Sequence, residues 1–181
     1  KFYRSHGEID KADEDRIVAL HAGLGEITLP PNAGREQGAT ENSAALAAYA
    51  ARYLDFFGAG SLRGLRVGVY QHSSVARDVM MEVLTALGAD AEALGRSDTF
   101  IPVDTEALRD EDCALARAWA REQALDAIVS TDGDADRPLI ADATGIFLRG
   151  DLVSAITARH LGATTLVTPV TSNSALEALP G

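Results

Sequence analysis

The sequence predicts an α/β fold with a mixed, mainly parallel sheet flanked by helices. Three observations lead to this prediction. Short β-like runs alternate with amphipathic helical stretches from residue 66 onward, an order that is typical of βαβ units. Glycines and polar clusters separate successive elements, as expected at turns. The chain of 181 residues is 46% hydrophobic and 24% charged, so it has enough apolar material for a globular core.

The first third of the chain is predicted to be extended and then helical. Residues 1–9 are predicted to be extended, and residues 13–24 carry apolar side chains at helical spacing. Residues 25–40 are rich in glycine and proline and are therefore predicted to form a loop. Residues 41–57 form the clearest predicted helix, because one continuous apolar stripe runs along it. We expect that stripe to lie in the core or in an interface.

Beyond residue 58, the predicted strands and helices alternate. The predicted strands span 66–70, 91–94, 127–131, 138–141 and 165–170. The predicted helices span 77–87, 105–123 and 151–161, and a last helix is capped by Ser172 or Asn173. In such sheets ligands bind beyond the carboxyl ends of the strands, so the residues that follow each strand are the place to look for a site.

Charge and composition exclude several functional classes. Sixteen Lys and Arg stand against 27 Asp and Glu, and the net charge of −11 repels nucleic acid. No apolar run is long enough to predict a membrane span. The single cysteine, Cys113, excludes an internal disulfide and a multi-cysteine zinc site. With no signal-peptide pattern we expect a cytoplasmic protein, and the oligomeric state is not predicted. The starting Lys1 and the ending Gly181 lead us to expect an internal piece of a longer protein.

The residues after the predicted strand 127–131 carry the chemistry. Asp132, Asp134 and Asp136 occur at alternate positions, and Arg137 follows them. Carboxylates this close repel one another by about 1 kcal/mol per pair in water, so a cation is expected among them. Oxygen ligands suit Mg²⁺, Mn²⁺ or Ca²⁺ rather than zinc, and an arginine beside the metal binds phosphate. This combination is typical of phosphoryl transfer, whereas a solvated acidic turn is the alternative without function.

The run 132–137 differs from two other known types of metal-binding loop. An EF-hand requires Gly at its sixth position and Glu at its twelfth, but counting from Asp132 these positions hold Arg137 and Ala143. The Asp-x-Asp start also resembles that of haloacid-dehalogenase-type phosphatases. That resemblance implies a later lysine, but both lysines, Lys1 and Lys11, precede the run. A Mg²⁺-dependent phosphatase of this type remains the alternative enzyme.

The run Asp-Gly-Asp-Ala-Asp-Arg at 132–137 resembles the metal loop of the α-D-phosphohexomutases, the phosphomannomutase/phosphoglucomutase superfamily. Residues 65–94 resemble the opening strand–helix–strand of that family's second domain, and residues 142–177 resemble the passage into its third. Residues 1–9 resemble the stretch just after the catalytic phosphoserine loop. The resemblance covers nearly the whole chain, and the metal loop is its most specific part.

This resemblance implies a function. The family interconverts hexose 6-phosphates and hexose 1-phosphates by way of a phosphoserine, and Mg²⁺ bridges that phosphoserine and three loop aspartates. Those aspartates match Asp132, Asp134 and Asp136. The arginine that contacts the transferring phosphate matches Arg137, which is therefore expected to be both catalytic and substrate-binding. The lysine that acts as general acid and base matches Lys1.

The sequence departs from the family pattern at the nucleophile. No Ser-His-Asn-Pro-like loop is present. Ser73 and Ser74 do not replace it, because no Asn-Pro follows them and they precede a helix, where serine is a natural cap. His72 and Arg77 follow a strand and could face a cleft, but they are interpreted as structural or as residues of unknown role. We therefore expect this chain to be inactive alone, and a non-catalytic α/β module that binds Mg²⁺ or a phosphosugar is a further alternative.

The resemblance also implies domain boundaries. Residues 1–58 correspond to the end of the first domain and a linker helix, residues 59–163 to the second domain with the metal loop, and residues 164–181 to the start of the third.

Overall fold

A computed structural model describes residues 2–5, 7–25 and 43–178. The chain divides into two compact units, Lys1–Glu41 and Asn42–Gly181. Among the described residues, no helix combines the length and the hydrophobicity needed to cross a membrane.

The first unit contains a small hairpin and a helix. Strands β1 (Tyr3–Arg4) and β2 (Gly7–Glu8) pair in antiparallel orientation, as the extended segment allows. Helix α1 (Lys11–Gly23) begins with a capping box, in which the side chains of Asp10 and Asp13 each accept a hydrogen bond from the other's backbone N–H. All 13 residues of α1 are described and none is buried. The apolar spacing in this segment therefore predicts the helix correctly, but its apolar residues do not form a core.

The second unit follows the alternation that the sequence predicts. Its elements are α2 (Ser43–Phe57), β3 (Arg66–Tyr70), α3 (Arg77–Ala86), β4 (Asp90–Leu94), α4 (Asp110–Gln123), β5 (Ala127–Thr131), β6 (Pro138–Ala141), α5 (Gly150–His160) and a 3₁₀ helix at Ser174–Ala178. The sheet has the order β4-β3-β5-β6. Strand β3 is parallel to both of its neighbours, and β6 is antiparallel to β5. The predicted α/β class and the mixed, mainly parallel sheet are confirmed.

The core of the second unit lies where the sheet packs against α4. Central strand β3 is buried along four of its five residues. Only glycine fits at position 68 of that strand, because a Cβ there would lie 2.4 Å from Leu94 Cδ1 and 2.8 Å from Leu125 Cδ1. Edge strand β4 is mostly exposed, and its Asp90 and Glu92 lie 3.4 Å and 3.8 Å from the guanidinium of Arg66 on β3. The core residues are Tyr70, Leu94, Val103, Ala116, Ala120, Leu125, Ile128, Leu139 and Ala141.

Two sequence predictions of secondary structure are wrong in detail. The helix predicted from residue 105 begins at Asp110, because the backbone at the N-cap residue Arg109 is extended and Asp104 turns the preceding chain by accepting from the Glu106 N–H. The strand predicted at 165–170 does not form. A strand needs a partner for its backbone groups, and no described strand pairs with this segment.

The apolar stripe of α2, expected in the core or in an interface, lies largely outside the core of the described chain. Only Ala50 on this helix is buried, while Leu46, Tyr49 and Phe57 are exposed within the described part of the chain. The helix itself is confirmed from residue 43 to residue 57.

Candidate metal centre

The site lies at the carboxyl edge of the sheet, between two neighbouring strands. Strands β3 and β5 are parallel, so the segment after β3 (residues 71–76) and the run after β5 (residues 132–137) emerge side by side. The latter run, named the metal loop here, is also the loop of a hairpin. Thr131 at the end of β5 pairs with Pro138 at the start of β6, which sets the length of the loop at the six residues between them.

The metal loop brings the three predicted carboxylates together. One oxygen from each of Asp132, Asp134 and Asp136 lies within 4.8 Å of the others. The Asp132 side chain is 13% exposed and that of Asp136 is 45% exposed, while Asp134 is also exposed. The carboxylates therefore converge at the surface, with Asp132 at the bottom of the group.

Hydrogen bonds within the loop explain why alternate residues converge. Asp132 Oδ1 accepts from the backbone N–H groups of Asp136 at 3.1 Å and of Arg137 at 3.2 Å. The Asp132 carbonyl accepts from the Ala135 N–H at 3.3 Å, and Ala135 has a φ of 64°. A left-handed residue turns the chain sharply, which lets the loop curl around the Asp132 carboxylate. Asp132 thus supports the loop with one oxygen and leaves the other for a ligand.

The charges of the loop fit a hard divalent cation. Arg137 Nε lies 3.9 Å from Asp132 Oδ2 and 3.8 Å from Asp136 Oδ1, and Arg137 Nη1 lies 3.9 Å from Glu106 Oε1. One guanidinium cannot offset three carboxylates, so the loop keeps a net negative charge. An all-oxygen donor set of this charge suits Mg²⁺ or Mn²⁺ and does not favour zinc.

A cleft of about 580 Å³ opens beside the loop. Asp132, Gly133 and Asp134 form part of its wall, and Phe100 and Val75 form an apolar part. Phe100 is 71% exposed, and its ring lies so close to Gly133 that a Cβ on that glycine would be 3.5 Å from the ring. The cleft therefore joins a charged edge to an apolar wall and is large enough for a small phosphorylated molecule.

The segment after β3 contacts the metal loop directly, which the sequence analysis missed. His72 is fully buried, and its Nε2 lies 2.9 Å from the Thr131 carbonyl oxygen. Ser74 Oγ lies 2.7 Å from Thr131 Oγ1, and the Val75 N–H donates to the Gly133 carbonyl at 3.1 Å. Their only sequence signal is position, since they follow a strand that neighbours β5.

The serines of this segment are not helix caps, so that expectation is wrong. The N-cap of α3 is Ala76, and no side chain caps its N–H groups. Ser73 instead binds the backbone of Ile101, accepting from its N–H at 2.9 Å. Ser74 accepts from the N–H of Ala76 at 3.1 Å. Arg77 has the structural role expected of it, donating to the Ser97 carbonyl at 2.8 Å.

A buried polar network lies behind the site. The Tyr70 hydroxyl donates to Asp112 Oδ1 at 2.8 Å, and Arg109 donates to both carboxylate oxygens of Asp112 at 2.7 Å. Burial raises the pKa of the Asp112 carboxyl, but the hydrogen bonds from Arg109 and Tyr70 outweigh it, so the net pKa is lowered. The pKa of Tyr70 is raised to about 12, mainly by burial and to a smaller extent by the hydrogen bond to the Asp112 carboxylate. The network ties the start of α4 to the end of β3.

Four of the five predicted site residues lie in the part of the chain that the structure describes. Asp132, Asp134, Asp136 and Arg137 lie together on the metal loop. Lys1 lies outside the described residues.

Comparisons with known proteins agree with this architecture. A protein-family model described as phosphoglucomutase/phosphomannomutase, alpha/beta/alpha domain II, matches residues 47–145. A phosphomannomutase of Sinorhizobium fredii is 49% identical over 181 residues, covering 100% of this chain and 38% of the relative. A phosphomannomutase of Salmonella muenchen is 40% identical, covering 97% of this chain and 35% of the relative. A phosphoglucosamine mutase of Symbiobacterium thermophilum is 34% identical, covering 99% and 41%. The chain thus spans well under half the length of these relatives.

Proposed function

The chain belongs to the phosphoglucomutase/phosphomannomutase family, and from that premise we propose that the complete protein is an intramolecular phosphotransferase that interconverts hexose 6-phosphate and hexose 1-phosphate. Two of the relatives named above are phosphomannomutases and one is a phosphoglucosamine mutase, so the proposed substrate class is a phosphorylated hexose. The family assignment gives no support to the haloacid-dehalogenase-type alternative.

One observation carries the proposal. Three carboxylates converge within 4.8 Å on a loop at the carboxyl edge of the sheet, with an arginine beside them and a cleft in front of them. Asp132, Asp134 and Asp136 would hold Mg²⁺. When bound, Mg²⁺ would supply positive charge that offsets the negative charge of the transferring phosphoryl group.

The chain's own residues would position the phosphate. Arg137 presents a planar guanidinium that can donate two parallel hydrogen bonds to phosphate oxygens. Its carboxylate partners Glu106, Asp132 and Asp136 lie 3.8–3.9 Å away, beyond a good hydrogen bond, so a phosphate bound beside the loop can compete for it. Asp132 would keep the loop folded while it ligates, because its Oδ1 accepts two backbone hydrogen bonds.

Two further parts of the proposal concern groups that the structure does not describe. A phosphoserine outside this chain would donate the phosphoryl group, so the 181 residues alone would not turn over substrate. Lys1 would act as general acid and base on the sugar hydroxyl. The boundaries at residues 58 and 163 and the cytoplasmic location remain predictions.

The experiment measures mutase activity of the complete protein with hexose 1-phosphates, in the presence of Mg²⁺. We expect Asp134→Asn to lower kcat at least about a hundredfold, because the ion that offsets phosphoryl charge is lost. Asp98→Asn is the matched control. It removes the same charge from a fully exposed residue that lies 3.6 Å from Arg77 and outside the metal loop, and it should leave activity unchanged. Full activity in Asp134→Asn would contradict the proposal. An absence of activity in the wild-type protein as well as in the variant would favour a binding module.

A further inference from the structure

Three consecutive carbonyl groups, from the last residue of β5 to the second residue of the metal loop, are hydrogen-bonded, two of them directly by one neighbouring segment. The Thr131 carbonyl lies against His72 Nε2, the Asp132 carbonyl accepts from Thr131 Oγ1 at 2.8 Å, and the Gly133 carbonyl accepts from the Val75 N–H. The Thr131 hydroxyl is in turn bonded to Ser74. Residues 72–75, named the clamp segment here, therefore contact the Thr131 and Gly133 carbonyls directly and the Asp132 carbonyl through the Thr131 hydroxyl.

Hydrogen-bond accounting gives the direction of the central contact. The Thr131 hydroxyl has one hydrogen, and it is donated to the Asp132 carbonyl. Ser74 must therefore donate to Thr131 Oγ1, while its own oxygen accepts from the Ala76 N–H. The result is a continuous chain of donors from the start of α3 to the carbonyl of the first metal-loop aspartate. Each bond in such a chain polarises the next, so deletion of the middle hydroxyl weakens more than one bond.

His72 adds a contact that is costly to maintain. A carbonyl oxygen can only accept a hydrogen bond, so Nε2 is the donor in this contact and the second ring nitrogen is Nδ1. That Nδ1 is buried and has no hydrogen-bond partner in the part of the chain that the structure describes. The backbone of His72 has a φ of 29°, which non-glycine residues rarely adopt. Backbone strain and an unpaired buried ring nitrogen in one residue point to a role beyond packing.

We propose that His72 and Ser74 are positioning residues that hold the metal loop in its ligand-binding conformation before the cation arrives. They do not touch the cation or the substrate. They act through the backbone of Thr131 and Asp132, so that the three carboxylates converge without a refolding step. This inference rests on the proposed function, because it assumes that the loop binds a divalent cation.

The test measures Mn²⁺ affinity of the complete protein by electron paramagnetic resonance of free Mn²⁺, with thermal unfolding recorded in parallel. Ser74→Ala removes the middle donor, and His72→Leu removes the Nε2 donor at similar volume. We expect each to weaken Mn²⁺ binding about tenfold or more, as is usual when a group supporting a metal ligand is lost. His72→Gln restores an N–H donor at a similar reach and should recover most of the affinity.

Tyr70→Phe is the matched control for stability. It deletes a buried hydrogen bond to Asp112 at the end of β3, just before the clamp segment, and keeps the aromatic ring that contacts His72. We expect it to lower the unfolding midpoint while the Mn²⁺ affinity stays within about twofold of wild type. A purely structural role for the clamp segment would instead make affinity follow stability in all four variants.

The possible results separate the two proposals. In one result, the wild-type protein binds Mn²⁺, Asp134→Asn abolishes the binding, and Ser74→Ala and His72→Leu leave it unchanged. This result overturns the positioning role of the clamp segment and leaves the proposed function intact. Equal affinity of His72→Leu and His72→Gln overturns the role of the Nε2 donor. No Mn²⁺ binding by the wild-type protein, or equal binding by Asp134→Asn, overturns the proposed function and the clamp together.

Discussion

Asp134→Asn should make the metal-free protein more stable, although it should abolish metal binding. The substitution keeps the size of the side chain and removes one negative charge from the metal loop. Asp134 shares close carboxylate pairs with Asp132 and Asp136. Without a cation these two carboxylate pairs repel, and removing the Asp134 charge relieves both repulsions.

The size of the gain follows from the distances. Two charges 4.8 Å apart repel by about 0.9 kcal/mol in a dielectric like that of water, and 0.15 M salt roughly halves this value. Asp134 takes part in two such pairs, so the expected stabilisation is about 1 kcal/mol at 0.15 M salt. For a domain of this size, that corresponds to a rise in Tm of about 2–4 °C.

The assay is thermal unfolding with EDTA and then with excess Mn²⁺. In EDTA the variant should melt above wild type, and the difference should shrink as the salt concentration rises. Mn²⁺ at about 100 times its Kd should stabilise wild type by about 2.7 kcal/mol and leave the variant unchanged, which reverses the order of the two midpoints. A variant that melts below wild type in EDTA, or a difference insensitive to salt, would refute the electrostatic argument.

The buried network and one turn give three more predictions. Tyr70→Phe should remove a loss of about 2 kcal/mol that wild type shows between pH 10 and pH 12, because the hydroxyl stays protonated in the folded state until about pH 12 and ionises near pH 10 when unfolded; urea unfolding at both pH values measures it. Asp112→Asn should remove part of the loss in unfolding free energy that wild type shows below about pH 4, because the lowered pKa of Asp112 stabilises the fold only while its carboxyl is ionised. A variant whose acid unfolding matches that of wild type would contradict this. Gly145→Ala should cost about 2–4 kcal/mol in urea unfolding, because its φ is 77° and the new Cβ would lie 2.5 Å from the Ala116 carbonyl oxygen; a loss below about 1 kcal/mol would show that the turn can move.

The strands and the carboxylate cluster could be predicted because their signals are local. Strands β3, β5 and β6 have the predicted bounds, since each is an apolar run closed by polar or glycine residues. The convergence of Asp132, Asp134 and Asp136 follows from alternate spacing on one tight loop. No knowledge of distant residues is needed for either prediction.

The missed features depend on which elements are neighbours in space. The roles of His72 and Ser74 require β3 to lie beside β5, and strand order is not written in either segment. The late start of α4 has a similar origin. Arg109 stays extended and binds Asp112, and that carboxylate in turn meets Tyr70 from a strand about 40 residues away. Local propensity favours a longer helix, and tertiary contacts shorten it.

The charged strand β4 at the edge of the sheet affects how the protein behaves in solution. An edge strand offers unpaired backbone groups that can template the addition of a strand from another molecule, the first step of many aggregates. The exposed residues of β4 are Asp90, Glu92 and Ala93, so two of the three carry a negative charge. Two copies approaching edge to edge would bring these like charges together, while Arg66 neutralises them only within its own molecule. Replacing both with Thr or Val would leave the sheet intact and turn this edge into a site of self-association.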